Sequence, residues 1–365
     1  MKVHAAVLIS SNQPFSIEEV ELAGPKLGEV LVKMEAVGIC HSDYHVLTGD
    51  TQHPLPAILG HEGFGTVIES KSNYSQLSVG QKVSLSWAPS CHQCYYCKTN
   101  RPALCQTFKK SIWNGTLLDG TTRFSSANGP IYHYCGLGCF AEYITVSEMA
   151  CIPMPSTLRP EIGALIGCAV TTGVGSVLTT ANVQPESIVV VIGCGGVGLS
   201  TILAAKYAKA KTIIAIDQSQ TRLNAALDCG ADHATSLESA KAIIKQVSDN
   251  RGADYLFEAV GNPSLQVEAI AITRPGGKVI FSGLSPMDAS ITINGALITR
   301  EEKTILGSYY GSANPEIDFS KYANLYLAGT LPLDKLITHT YSLSGINIAF
   351  KDMLEGVSRR GVVIF

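Results

Sequence analysis

The chain has 365 residues, 46% of them apolar and only 16% charged, a length that exceeds one ordinary core and a composition that excludes a disordered chain. A formal net charge of −3 gives no basic footprint for nucleic acid and no cationic face for an anionic membrane. Eleven cysteines in so long a chain do not read as a secreted disulfide framework; clustered cysteines in a reducing compartment are metal ligands more often.

The N-terminal segment MKVHAAVLISSNQPF lacks the apolar core and cleavage site of a signal peptide, so a cytoplasmic protein is expected. Up to about residue 150 the chain is β-rich and turn-rich. GEVLVKMEAVGI, GFGTVIES and QKVSLSW are short, β-branched and bounded by glycine, as in an antiparallel sheet. Residues 100–138 form a long polar stretch with little periodicity and are expected to be a functional or interface loop. Two uncharged stretches, 162–185 and 187–205, raise the question of a membrane span, but glycines, serines and threonines interrupt both.

Beyond residue 169 the pattern changes. SIVVVIG, KTIIAID, ADYLFEAVG and GGKVIFSGL are buried-strand runs that alternate with helical segments, including one from about Pro263. That alternation predicts βαβ units and a parallel sheet. The expected division is 1–169, 170–309 and a return segment at 310–365 that rejoins the first domain. The fold class is α/β, with a Rossmann-type parallel-sheet domain beside a β-rich one.

Gly193, Gly195 and Gly198 form G-x-G-x-x-G between a strand and a helix, with Gly196 and Val197 inside the turn. Asp217 ends the next strand, where the dinucleotide fingerprint places its acid. The glycines give the tight turn, close approach to a pyrophosphate and helix–strand packing, and the phosphates meet free N–H groups at the helix start. A carboxylate at Asp217 accepts the ribose hydroxyls and repels a 2′-phosphate, which favours NAD over NADP.

Cys91, Cys94, Cys97 and Cys105 are spaced C-x2-C-x2-C-x7-C. Four thiolates make a closed tetrahedral shell suited to structural zinc, though the spacing also admits an iron–sulfur cluster. Cys40 and His61 lie in GICHSDYH and LGHEGFG, and Cys168 lies far downstream in IGCAVTTG. Two cysteines and one histidine with an open position form a catalytic zinc shell. Spacing alone does not join these three, and a buried structural Cys168 is the ordinary reading.

With GHEGFG, the four-cysteine loop, GCGGVG and the terminal SRRGVVIF, the chain resembles, nearly end to end, the zinc-containing medium-chain alcohol dehydrogenases of the dimeric animal and plant type. The resemblance implies a GroES-like catalytic domain and two zinc ions per chain. It makes Cys40, His61 and Cys168 the catalytic zinc ligands, with Glu62 as an alternate ligand. It makes Ser42 the group that takes the alcohol proton, His45 the outlet of that relay and Asp43 the acid that orients His61. Trp87 and Tyr134 match substrate-pocket positions, and Arg360 matches a pyrophosphate contact. His41 stands where many relatives have an arginine on the pyrophosphate. The implied activity is reversible hydride transfer between a primary or secondary alcohol and NAD, with the alcohol, aldehyde or ketone as the small-molecule partner.

Two rival readings remain at this point. A glutathione-dependent formaldehyde dehydrogenase of the same fold would have an arginine and acidic residues where this chain has Lys109 and Thr51. A non-catalytic zinc and dinucleotide-binding protein would have no need of the relay residues. The length of the 100–138 segment matches the dimeric members, and the apolar TILGSYYG would be an open sheet edge unless paired with its own copy. A homodimer is therefore expected.

Overall fold

A computed structural model describes residues 1–72 and 77–365. The chain divides into two compact units, one of Met1–Cys168, Asn314–Leu327 and Ile337–Phe365, the other of Ala169–Ala313 and Ala328–Leu336. The return segment expected at 310–365 is therefore not continuous. Residues 328–336 go back to the second unit, where Leu331, Leu333 and Leu336 are fully buried. Burial of those leucines, which local sequence does not announce, decides the assignment.

The first unit holds a closed five-stranded barrel of Lys2–Leu8, Ser16–Leu22, Phe124–Ser126, Gly129–His133 and Ala57–Ile58. Beside it in the same unit, a seven-stranded sheet runs Cys151–Pro153, Lys82–Leu85, Gly63–Ser70, Glu29–Gly38, Arg360–Ile364 and Ile337–Tyr341, with Tyr143–Ser147 also pairing to Glu29–Gly38. Glu29–Gly38 is the hub. Its ten residues are almost all buried, so it reads as a near-continuous apolar run and not as an alternation. The last strand pairs Val362 with Gly38 and Val363 with Val37, which carries Arg360 to the end of the strand that leads into Cys40.

Residues 100–138 are not the unstructured loop expected from sequence. They contain a helix, Gln106–Asn114, that buries Phe108 and Ile112 one turn apart, and two barrel strands, Phe124–Ser126 and Gly129–His133. Strands of three and five residues are too short to register as a period.

The second unit is built on a six-stranded, wholly parallel sheet in the order His233–Thr235, Thr212–Ile216, Ile188–Ile192, Ala253–Glu258, Thr273–Phe281, Thr304–Gly307. Numbered along the chain, that is the doubly wound order 3-2-1-4-5-6. Every residue of Ile188–Ile192 is buried, which explains its uninterrupted β-branched run. The helix expected near Pro263 spans Pro263–Ile272. Pro263 occupies its first turn, where no N–H is needed, and Asn262 caps it by accepting from the N–H groups of Ser264 and Leu265.

Of the two uncharged stretches, 187–205 is strand, turn and helix. The run Pro160–Ala181 is helical and long and apolar enough to cross a membrane, but 89% of its most apolar 18-residue window is buried inside the protein, as a core helix is.

Candidate metal and cofactor sites

Two antiparallel neighbours bring the first cluster together. Glu29–Gly38 leads through Ile39 to Cys40, and Gly63–Ser70 starts directly after His61 and Glu62, with Val37 opposite Gly63. The Gly38 N–H donates to the Glu62 carbonyl at 2.9 Å. A Cβ on Gly38 would lie 2.1 Å from Glu62 Oε2, so only glycine leaves room for that carboxylate. Cys168 arrives on a π-helical turn, Ile166–Val170, after the helix Pro160–Leu165; such turns recur at functional sites. Gly163 and Gly167 let that helix approach closely, since a Cβ on either would meet Phe64 at 2.1 Å or the Leu85 carbonyl at 2.9 Å.

Ligand atoms of Cys40, His61, Glu62 and Cys168 all lie within 4.8 Å of one another. Asp43 is fully buried and accepts through Oδ1 from His61 Nδ1 at 3.1 Å and from the Gly60 N–H at 2.8 Å. The Nδ1 tautomer is thereby fixed, leaving Nε2 as the lone-pair donor, which is the arrangement a ligating histidine needs. The Cys168 thiol donates to Cys40 and holds the Cys40 thiol well below its ordinary range. Two thiols sharing a proton in this way are a donor pair in which a cation replaces that proton. Burial pushes the Glu62 carboxyl up to about 7 against the pull of Arg360.

Arg360, the residue matched to a pyrophosphate contact, pairs with Glu62. Its Nη2 donates to Glu62 Oε2 at 2.5 Å, and both side chains are buried. The partners are 298 residues apart, so no local pattern signals the pair.

The four-cysteine cluster is equally compact. Sγ–Sγ distances are 3.5 Å for Cys94–Cys97, 3.9 Å for Cys91–Cys97 and 4.0 Å for Cys94–Cys105. A tetrahedral ion with zinc–sulfur bonds of about 2.3 Å would space its sulfurs by about 3.8 Å, so the cluster fits zinc. The Cys91 thiol is lowered to about 6; the cost of burying the thiolate is outweighed by hydrogen bonds from Thr107 and the Gln93 and Cys94 amides. Ser90 Oγ lies 3.2 Å from Cys97 Sγ.

In the second unit, the glycine turn has the shape its motif implies. Gly193 has φ +93°, and a Cβ on Gly198 would lie 1.7 Å from the Gly193 carbonyl oxygen. Nothing lies within 4 Å of where a Gly195 Cβ would be, so the open face sits where a pyrophosphate approaches, before the helix Gly196–Tyr207. Asp217 does more than sequence implied: it accepts from the N–H groups of Cys194 at 2.8 Å and Ser219 at 2.9 Å. The carboxylate thus ties the glycine turn to its strand end.

Two family models cover most of the chain: an alcohol dehydrogenase GroES-like domain at residues 26–156 and a zinc-binding dehydrogenase domain at 196–327. The chain belongs to the zinc-binding alcohol dehydrogenase family. It is 36% identical over its whole length to an NDMA-dependent alcohol dehydrogenase of Amycolatopsis methanolica, with 99% of that protein covered. It is 34% identical to an S-(hydroxymethyl)glutathione dehydrogenase of Paracoccus denitrificans, with both chains fully covered. A benzyl alcohol dehydrogenase of Acinetobacter calcoaceticus has the same structure at a TM-score of 0.94, with 30% identity and 100% and 99% of the two chains covered. These relatives are bacterial, and their names do not single out the dimeric animal and plant branch.

Within this dehydrogenase, helix His41–Thr48 carries the remaining candidates. His41 opens it and is exposed. Ser42 Oγ is 3.7 Å from Cys40 Sγ. His45 follows Ser42 by three residues, on the same helical face, and bonds the exposed Asp50 at 3.4 Å. Trp87 follows strand Lys82–Leu85 and packs half-buried on the core. Tyr134 is buried, with its hydroxyl donating to the Ser42 carbonyl at 3.2 Å. Thr51 is half-buried and Lys109 exposed. Sequence reasoning left His53 and His133 unassigned; both are neutral imidazoles beside Tyr134, and His53 stacks edge-on against it.

Proposed function

We propose that the protein is a zinc-dependent alcohol dehydrogenase that moves a hydride reversibly between a primary or secondary alcohol and NAD. The observation that carries this is the gathering of Cys40, His61 and Cys168 beside the Ser42 hydroxyl, a metal shell and a proton acceptor in one place. Cys40, His61 and Cys168 would hold the ion, with Glu62 as a fourth donor in reach. Zinc in that shell supplies a Lewis acid for the alcohol or carbonyl oxygen.

The chain's own residues do the rest. Asp43 keeps the His61 ring turned and its tautomer fixed. Ser42 Oγ accepts the alcohol proton and returns it in the reverse direction, and His45, on the solvent side of the same helix, carries it outward. Arg360 balances the buried Glu62 carboxylate. The open face of Gly195 and the helix start receive the pyrophosphate, and Asp217 selects the unphosphorylated ribose. Cys91, Cys94, Cys97 and Cys105 hold a second, structural zinc. Trp87 and Tyr134 border the substrate. The gathering of Cys91, Cys94, Cys97 and Cys105 as thiols within metal-ligand reach of one another supports a reducing, cytoplasmic setting, and the edge position of Thr304–Gly307 supports a homodimer.

A panel of alcohols and carbonyls tests this, with NAD, NADP and NDMA offered as separate electron acceptors and NADH absorbance as the readout for NAD. Alcohol-dependent reduction of NAD is expected, with turnover abolished in Cys40→Ser. Asp217→Gly should weaken NAD use and level the preference toward NADP. No alcohol oxidation with any acceptor would overturn the reading; turnover with NDMA alone would overturn the NAD assignment. Dependence on glutathione for turnover would favour the formaldehyde-adduct reading that the relative from Paracoccus denitrificans brings with it.

A further inference from the structure

Tyr134 touches three parts of the site at once. Its ring stands edge-on to His61 at 5.5 Å and 85° on one side, and edge-on to His53 at 5.4 Å and 88° on the other. Its hydroxyl reaches across 92 residues of sequence to the Ser42 carbonyl. That tie fixes the first turn of helix His41–Thr48 from outside, where the helix itself closes loosely. Cys40 caps it without a side-chain hydrogen bond, and the Tyr44 N–H reaches the Cys40 carbonyl only at 3.4 Å, near the outer limit for such a bond. The segment bearing Tyr134 is itself pinned: His133 donates from Nδ1 to the Leu137 carbonyl at 3.1 Å and accepts at Nε2 from the Arg123 N–H at 2.9 Å.

We infer that Tyr134 is a positioning residue that joins the zinc-ligating His61 to the proton-accepting Ser42, beyond any role as a wall of the substrate pocket. A phenylalanine would keep both ring contacts and lose the tie to the Ser42 carbonyl, and that loss is what the inference concerns. It rests on the reading of Ser42 as proton acceptor, so the test separates the two.

Steady-state kinetics of alcohol oxidation would be measured across pH for the wild type, Tyr134→Phe, Ser42→Ala and the double variant, with small and bulky alcohols and with zinc content and melting temperature recorded for each. Tyr134→Phe should lower kcat by about five- to tenfold, the worth of one net hydrogen bond. It should also shift the pH profile, with KM for small alcohols nearly unchanged and two zinc ions retained. In the Ser42→Ala background, which keeps the carbonyl but lacks the hydroxyl, Tyr134→Phe should have no further effect on kcat. If Ser42→Ala leaves kcat and the pH profile unchanged, the relay reading falls and the inference falls with it. If Ser42→Ala is impaired but Tyr134→Phe changes only KM for bulky alcohols, the relay stands and the inference is overturned.

Discussion

At the scale of single residues, the barrel-side histidines set an acid limit. Burial pulls His53 and His133 from the ordinary value of 6.5 down to about 4, and both His53 nitrogens are buried without a hydrogen-bond partner. Both rings are therefore neutral in the folded protein and protonate more readily in the unfolded chain. Their contribution is fully present above 6.5 and is lost as pH falls from there toward about 4, because the unfolded state takes up protons first in that window. His53→Leu should accordingly lose less melting temperature than the wild type between pH 7.5 and 5.0 in zinc-saturated buffer. Parallel declines in the two proteins would show that His53 does not titrate on unfolding. Cysteine spacing and the glycine motif were readable because their chemistry depends on near neighbours in sequence. The Arg360–Glu62 and Tyr134–Ser42 contacts were not, because each joins residues separated by much of the chain.

At the scale of elements, the four-cysteine segment buries few side chains around its short helix. Tyr95–Lys98 is a four-residue helix with no buried side chain, so an ion bound by the sulfurs would add much of what holds it. Cys97→Ser should reduce zinc from two ions to one per chain by elemental analysis and lower stability by several kcal/mol. At roughly 2–4 °C per kcal/mol, that is a fall of about 10 °C in melting temperature. An unchanged melting temperature would argue against a structural ion. The proposed catalytic-metal ligands show the opposite logic: Cys40, His61 and Cys168 come from a strand end, a strand start and a π-helical turn, each anchored by its own packing.

At the scale of the whole molecule, the strand Thr304–Gly307 closes one side of the parallel sheet by pairing with Thr273–Phe281, and its residues are exposed or half-buried. In the homodimer proposed above, this edge would pair with its own copy across a twofold axis. Light scattering should therefore give twice the chain mass, and Ile305→Lys, which places a charge on that edge, should shift the mass toward the monomer. A wild type that runs as a stable monomer or as a tetramer on dilution would exclude this assembly.

What the amino-acid sequence determined by itself was whatever repeats within a turn or a strand: the buried run 188–192, the glycines at 193, 195 and 198, the four clustered thiols, and the helix beginning at Pro263. Each is set by local sterics or by the reach of a metal ligand. The tertiary structure alone decided the rest. It gave 310–365 to both units, because Leu331, Leu333 and Leu336 are buried in the second. It turned a polar stretch into barrel strands, because Phe124 pairs with Leu22 and Ile131. It also set Cys168 beside Cys40, because glycines at 163 and 167 let the helix press against Phe64 and Leu85. Those outcomes depend on which surfaces meet, and packing between distant segments leaves no period in the sequence.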